Sequence, residues 1–283
     1  MRTFLRSVLF LPAAALLASC QEGVLAPKGP IGEAEKTILF DATAIMLAVV
    51  IPVIVLTLFF AWWFRAGNKW ARYLPDWEYS GRIEMIVWSI PALIVLFLGG
   101  MAWISSHDLD PPRPLDARVK PIEIEVVSMD WKWLFIYPDE GVATVNELTV
   151  PVATPLHFRL TAASVMNSFF IPQLGSQIYT MPGMTTQLTL QADENGTYTG
   201  RSVMFSGDGF SDMRFDVHAV ASDAFTGWVA QAKQANDPLD EGAYTALLTP
   251  SHANPPHVYS SVEVGLFDHA LMETTSASHA EGH

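Results

Sequence analysis

Disulfides are excluded first: one residue of the 283 is cysteine, Cys20, and a lone thiol makes no internal bridge. Basic residues are scarce too. Sixteen Lys and Arg against 29 Asp and Glu give a formal charge of −13, which removes nucleic acid from the candidate partners. The acidity reads either as a solvated surface or as an attraction for a basic protein. Charged residues make up 16% of the chain and apolar ones 50%, a balance compatible with a membrane component. Histidines 107, 157, 218, 252, 257 and 269 are scattered, with no two at metal-ligand spacing, while His279 and His283 lie in a polar terminal tail. Internal repeats and low-complexity tracts are lacking as well.

The N-terminus carries Arg2 and Arg6, then the apolar run Val8 to Leu17, then LASC ending at Cys20. That is the pattern of an export signal over residues 1–19, and the small residues before the cysteine have the form of a bacterial lipobox, after which Cys20 becomes the lipidated first residue. The alternative is an ordinary signal peptide with an incidental cysteine.

Two long apolar runs follow an external segment at 20–37. Residues 38–64 and 83–106 are each long enough for a bilayer of roughly 30 Å, which needs about 20 helical residues. The loop between them, 65–82, holds Arg65, Lys69, Arg72 and Arg82, whereas Asp108, Asp110 and Asp116 follow the second run. The positive-inside rule places that loop in the cytoplasm and both chain ends outside. Trp62, Trp63, Trp70, Trp77 and Trp103 fall near the ends of the runs, where amphipathic rings settle at headgroup level. Asp41, near the outer end of the first run, reads as a headgroup-level charge or as a subunit contact.

After a linker at 107–120 the hydropathy pattern becomes strand-like. IEIEVVS, WKWLFIY, ATVNELTV, PLHFRLT, NSFFIP, TTQLTLQ, GTYTGRSVMF and MRFDVHAV succeed one another with turn residues between them, over 121–221. Short strands without intervening helices predict an antiparallel sandwich or Greek-key barrel. From 222 to 283 the signal turns helical. Phe225, Trp228 and Val229 recur at spacings of three and four, Tyr244, Leu247 and Leu248 suggest another turn, and Val258 to Thr274 reads as a last helix before the polar tail. Trp131 and Trp133 in DWKW are two apart, so both face one side of a strand. Asp130 beside them reads as a turn cap or as an interface pair.

The loop GRSVMFSGDGFSDM, Gly200 to Met213, contains the spacing S-x-M-x-S-x3-F-x2-M. Behind two spans, it resembles the end of the external domain in subunit II of the haem-copper oxidases, whose fold is cupredoxin-like. In the cytochrome c oxidase branch the same spacing reads Cys-x-Glu-x-Cys-x3-His-x2-Met and, with an upstream histidine, holds a two-copper electron port. Soft thiolates bridge and delocalise charge there, while imidazole and thioether complete a compact site. In this chain Ser202 and Ser206 stand at the thiolate positions, Met204 where a carbonyl is used, Phe210 at the histidine position and Asn167 at the upstream histidine; Met213 alone keeps a ligand type.

Ligand loss inside a kept loop is similar to the quinol oxidase branch of the cytochrome bo type, and VVSMDWKWLFIYP and VMNSFFIPQLGSQIY resemble that branch as well. The resemblance covers Cys20 to Phe267. It implies a membrane helical hairpin (two transmembrane helices) plus an all-β cupredoxin-like Greek-key barrel that lacks the dinuclear copper site, with short C-terminal helices. The function implied is that of a cofactor-free subunit of a proton-pumping ubiquinol oxidase in the bacterial inner membrane. Its lipid-anchored N-terminus and its C-terminal domain would lie in the periplasm. Haems and one copper are expected in the partner subunit I, with subunits III and IV as further partners and no role for cytochrome c. Glu84, at the start of the second run, reads either as a charge that complements the helix N-terminus or, by the resemblance, as the entrance of a proton-uptake path. With no copper beneath it, Trp131 is expected to pack or to contact a subunit.

Two other function classes remain as contrasts. A copper electron carrier needs two cysteines and a histidine in the Gly200 to Met213 loop. A free lipoprotein receptor leaves two spans and Glu84 without a purpose.

Overall fold

The computed structural model describes residues 23–72, 74–117 and 119–272. Cys20, the signal segment and the terminal histidines lie outside the described residues. Residue contacts divide the chain into two units, one of the N-terminal residues to Glu35 together with Asp110 onward, the other of Lys36–Leu109.

The Lys36–Leu109 unit consists of most of helix α1 (Pro30–Trp63) and of helix α2 (Gly81–Asp108). Proline opens α1, where its fixed φ suits the first helical position. Pro52 and Pro91 lie inside the two helices, a placement tolerated in membrane helices. No side chain of α2 is buried, and α1 buries Gly32 alone. Both are long and apolar enough to cross a bilayer.

α1 starts eight residues before the expected span because its first turns serve another purpose: they belong to the β unit. The Lys28 amide donates to Gln173 O at 2.6 Å, the Gly32 amide to Leu174 O at 3.1 Å and the Asp193 amide to Lys28 O at 2.8 Å. Lys28 Nζ pairs with Glu194 at 2.6 Å, and Ser176 Oγ bonds Glu35. The backbone comes so close that a Cβ at Gly29 would stand 2.0 Å from Gln191 O.

The β unit contains two main sheets. Strands β1 (Ile122–Met129), β2 (Lys132–Tyr137), β3 (Val142–Val145), β4 (Glu147–Pro151), β5 (Pro155–Ala162), β6 (Asn167–Phe170), β7 (Ile178–Thr180), β8 (Thr186–Gln191), β9 (Gly196–Ser202) and β10 (Arg214–Val220) lead into helix α3 (Ser222–Ala232), strand β11 (Pro238–Leu239), helix α4 (Glu241–Leu248) and strands β12 (His257–Tyr259) and β13 (Ser261–Val262). One sheet runs β12-β3-β2-β1-β5-β8, the second β4-β10-β9-β6-β7, and β11 pairs with β13.

Strand direction and the last segment depart from expectation. The sheets are not wholly antiparallel, since β1 pairs with β5 and β10 with β4 in parallel. The chain changes sheet after β3 and again after β4, so strands close in sequence meet others from the far side. The last segment is not one helix either: residues 257–262 are extended, and helix covers 266–272. His257–Tyr259 meets an available edge at β3.

β2 and the second half of β1, Val126 to Met129, are buried on both faces, which explains why WKWLFIY is a nearly continuous apolar run rather than an alternation. Trp133, Phe135 and Tyr137 point between the sheets, with Phe158, Phe169 and Phe215. Leu134 and Ile136, with Val127 and Met129, face the C-terminal extension, residues 239–272, packing with Tyr244, Leu266 and Phe267. Tyr137 ties one sheet to the other. Its hydroxyl donates to Thr149 O at 3.0 Å and accepts from the Thr149 amide at 2.9 Å. Complete burial pushes that phenol well above the usual range.

Candidate functional site

Asn167 opens β6 and Ser202 closes β9, and the pairing of these strands brings the two residues together. Ser202 Oγ lies 3.1 Å from Asn167 Oδ1 and 3.2 Å from Met204 O, so its one proton serves two acceptors. Asn167 is fully buried, and its Nδ2 donates to Val165 O at 3.2 Å. The Ser202 amide donates to Met213 O at 3.1 Å, closing the loop at its base. Met213 is 1% exposed and packs in the core between the sheets.

The loop turns through a short 3-10 helix, Phe210–Asp212. The Phe210 amide donates to Gly207 O at 3.1 Å and the Met213 amide to Phe210 O at 3.2 Å. The Phe210 ring meets Phe205 edge-on at 5.7 Å. Ser206 O accepts from Trp131 Nε1 at 3.0 Å. Among the described residues the buried side-chain polar atoms without a partner are Ser206 Oγ and Trp133 Nε1.

All six positions that match the copper pattern thus lie in one small hydrogen-bonded structure, but their chemistry does not fit copper. Neutral hydroxyls replace bridging thiolates, a phenyl ring replaces an imidazole, and the Asn167 oxygen is occupied by Ser202. Among the described residues no group of three or more His, Cys, Asp or Glu side chains is arranged to hold a metal ion.

The expectation that Trp131 and Trp133 share a strand face does not hold. Met129 pairs with Lys132, so Asp130 and Trp131 form the two-residue turn of the β1–β2 hairpin. Trp131 has φ of 63°, the left-handed region, which a bulky side chain adopts only when its surroundings hold it there. Here Asp130 accepts from Ser164 Oγ at 2.6 Å, and the indole stacks on His252 at 4.5 Å. On its other side it covers Gly207 and Gly209. A Cβ at Gly209 would meet Trp131 Cδ2 at 2.4 Å, and Gly207 has φ of 106°.

Lys132, the next residue, was missed as a functional position. It is 2% exposed, and its Nζ donates to Leu247 O at 2.7 Å and to Thr249 O at 2.8 Å, capping α4 at its C-terminus. Burial pulls this amine below the ordinary lysine range, opposed by Asp130. The other end of the extension is fixed by Arg159, 2.7 Å from Glu125, 3.5 Å from Asp268 and over the Phe267 ring at 4.9 Å. Burial pushes the Glu125 carboxyl up, with Arg159 drawing it down. A lysine inside an apolar run was the available signal for a buried cap.

Glu84 lies elsewhere, in the first turn of α2, with an exposed side chain and its amide bonded to Ser80 O at 3.0 Å. Asp41 is exposed on α1.

Comparison with known proteins adds the following. Residues 140–220 match the family model for the periplasmic domain of cytochrome c oxidase subunit II, and residues 233–276 match the aromatic-rich motif found in such oxidases. The chain is 52% identical over 274 residues to the cytochrome bo(3) ubiquinol oxidase subunit 2 of Pseudomonas aeruginosa, covering 97% of this chain and 83% of that one. It is 51% identical over 260 residues to ubiquinol oxidase subunit 2 of Acetobacter aceti, covering 91% and 84%. The quinol oxidase subunit 2 of Bacillus anthracis is 33% identical over 249 residues, covering 87% and 86%.

Proposed function

Since the chain belongs to the subunit II family of the bo-type ubiquinol oxidases, we propose that it is the cofactor-free, structural and proton-uptake subunit of a proton-pumping enzyme that oxidises ubiquinol and reduces oxygen to water. The observation that carries this reading is the Ser202 hydroxyl directed at Asn167 where a thiolate and an imidazole would hold copper. Electrons then have no reason to pass through this domain. They go from quinol to the haems and copper of subunit I, and cytochrome c has no part.

In this reading subunits I, III and IV surround α1 and α2 in the bacterial inner membrane and cover their exposed apolar side chains. The β unit and a lipidated Cys20 stand in the periplasm. Glu84 forms the entrance of a proton-uptake path: an acid at an aqueous face takes up a proton and passes it on where a partner subunit continues the path.

Purification of the complex through this chain tests the proposal. Metal content and turnover are measured with ubiquinol and with reduced cytochrome c as donors. Ubiquinol should support turnover and cytochrome c should not; two additional coppers per complex, or turnover with cytochrome c alone, would overturn the reading. Glu84→Ala should slow steady-state turnover without preventing assembly, and unchanged turnover across pH would remove the role given to this residue.

A further inference from the structure

Along β9 and β10 the inward side chains are buried and the outward ones exposed, so Thr197, Thr199 and Arg201 share one face with His218, Asp216 and Arg214. Arg201 and Arg214 stand directly opposite each other in the antiparallel register. Both are exposed, and among the described residues neither joins an ion pair. Like charges in that position destabilise a strand pair unless something neutralises them. The nearest acid on the same face is Asp216, one pair further along opposite Thr199, and His218 beyond it is engaged with Thr197 Oγ1 at 3.1 Å.

An open groove of about 420 Å³ lies over the arginines, and Gly23, Gln173, Thr197 and Thr199 also line it. Two adjacent guanidinium forks flanked by hydroxyls are donors without a fixed acceptor, the composition that suits a phosphate rather than a carboxylate of the chain. Gly23 follows Cys20 by three residues, and three extended residues reach at most about 10 Å. On the reading of Cys20 as a lipid anchor, so short a tether keeps the groove near the lipid surface.

We propose that Arg201 and Arg214 form a phosphate site that takes the headgroup of an anionic phospholipid. Lipid as the source of the phosphate rests on the reading of Cys20 as an anchor; the arginine site itself does not. Binding fixes the β unit at the lipid surface by a contact separate from the acyl chains and relieves the repulsion between the two cations.

The test uses the purified oxidase complex in detergent, titrated with short-chain phosphatidylglycerol, short-chain phosphatidylcholine and inorganic phosphate, with binding read by native mass spectrometry. Wild type should bind phosphatidylglycerol at least about tenfold more tightly than the R201Q/R214Q variant, the loss of a charged bidentate contact. R201K/R214K should fall between the two, since it keeps both charges and loses the bidentate geometry, and ubiquinol turnover should be the same in all three, which separates loss of the site from loss of the fold. Equal phosphatidylglycerol affinity in wild type and R201Q/R214Q overturns the site. Phosphatidylcholine binding as tightly as phosphatidylglycerol overturns the choice of an anionic headgroup, and inorganic phosphate displacing the lipid at equal affinity overturns the lipid source. The mass of the N-terminal peptide decides the anchor independently, so an unacylated Cys20 beside an intact phosphatidylglycerol site removes the anchor reading alone.

Discussion

The loop from Ser202 to Met213 and the extension that packs on the outer face of β1 and β2 are held by adjacent residues of one hairpin, yet by opposite chemistry. Trp131 holds the loop with a neutral indole on two glycines and a single hydrogen bond to Ser206. Lys132 holds the extension with a buried ammonium on two carbonyls, and at the far end a half-buried Arg159 pairs with the carboxylates of Glu125 and Asp268. Neutral contacts are individually weak and spread over many atoms, whereas a buried charge concentrates stability in one group whose removal strands its acceptors. The loop should therefore tolerate single changes that the extension does not.

Lys132→Met is the most severe way to break this contrast. It retains the apolar stem and removes both charged hydrogen bonds, so α4 and the 266–272 helix should lose about 3 kcal/mol of local stability. Hydrogen exchange on the purified complex should show the change at 239–272 and at the β3 edge that β12 covers, with the rest of 121–220 protected as in wild type. Gly209→Ala is next, at about 2 kcal/mol, since a methyl group at 2.4 Å from the indole overpacks the turn. Tryptophan emission should shift as Trp131 leaves His252, and adding Trp131→Ala should recover part of the loss.

Ser202→Ala sharpens the loop side. It leaves the buried Asn167 oxygen without its donor, worth about 1 kcal/mol in the thermal midpoint, and exchange should rise at 203–213 alone. The smallest effect concerns Glu125. Burial raises its pKa, so above the ordinary 4.5 the folded chain holds more of the proton than the unfolded chain does, and stability falls as pH rises through that window. The contribution is fully present below 4.5. Glu125→Gln should remove this fall, a change of less than about 1 kcal/mol, checked by thermal midpoints from pH 4.5 to neutrality.

The two helices were legible because about 20 apolar residues in a row signal a span without help from tertiary structure. The loop was legible for a different reason: the spacing of Ser202, Ser206, Phe210 and Met213 survives even where the ligands do not. The start of α1 was not legible, because Glu33, Glu35 and Lys36 look like a polar linker until their docking on the β unit is known. Strand direction was hidden as well, since hydropathy repeats every second residue in parallel and antiparallel pairs alike. Trp131 misled for a local reason. A period of two presumes a strand, and the turn at Asp130 and Trp131 interrupts it with a left-handed residue that no propensity would place there.

Strand β12 gives the fold a clock. β3 is complete once Val145 has been synthesised, but its partner His257–Tyr259 follows more than a hundred residues later. Until then β3 offers unpaired amides and carbonyls, and the apolar outer faces of β1 and β2 lie uncovered. The end of the chain thus acts as a late fastener, and a polypeptide interrupted before residue 257 is left with a sticky edge and an open greasy face, a state fit for disposal rather than for assembly.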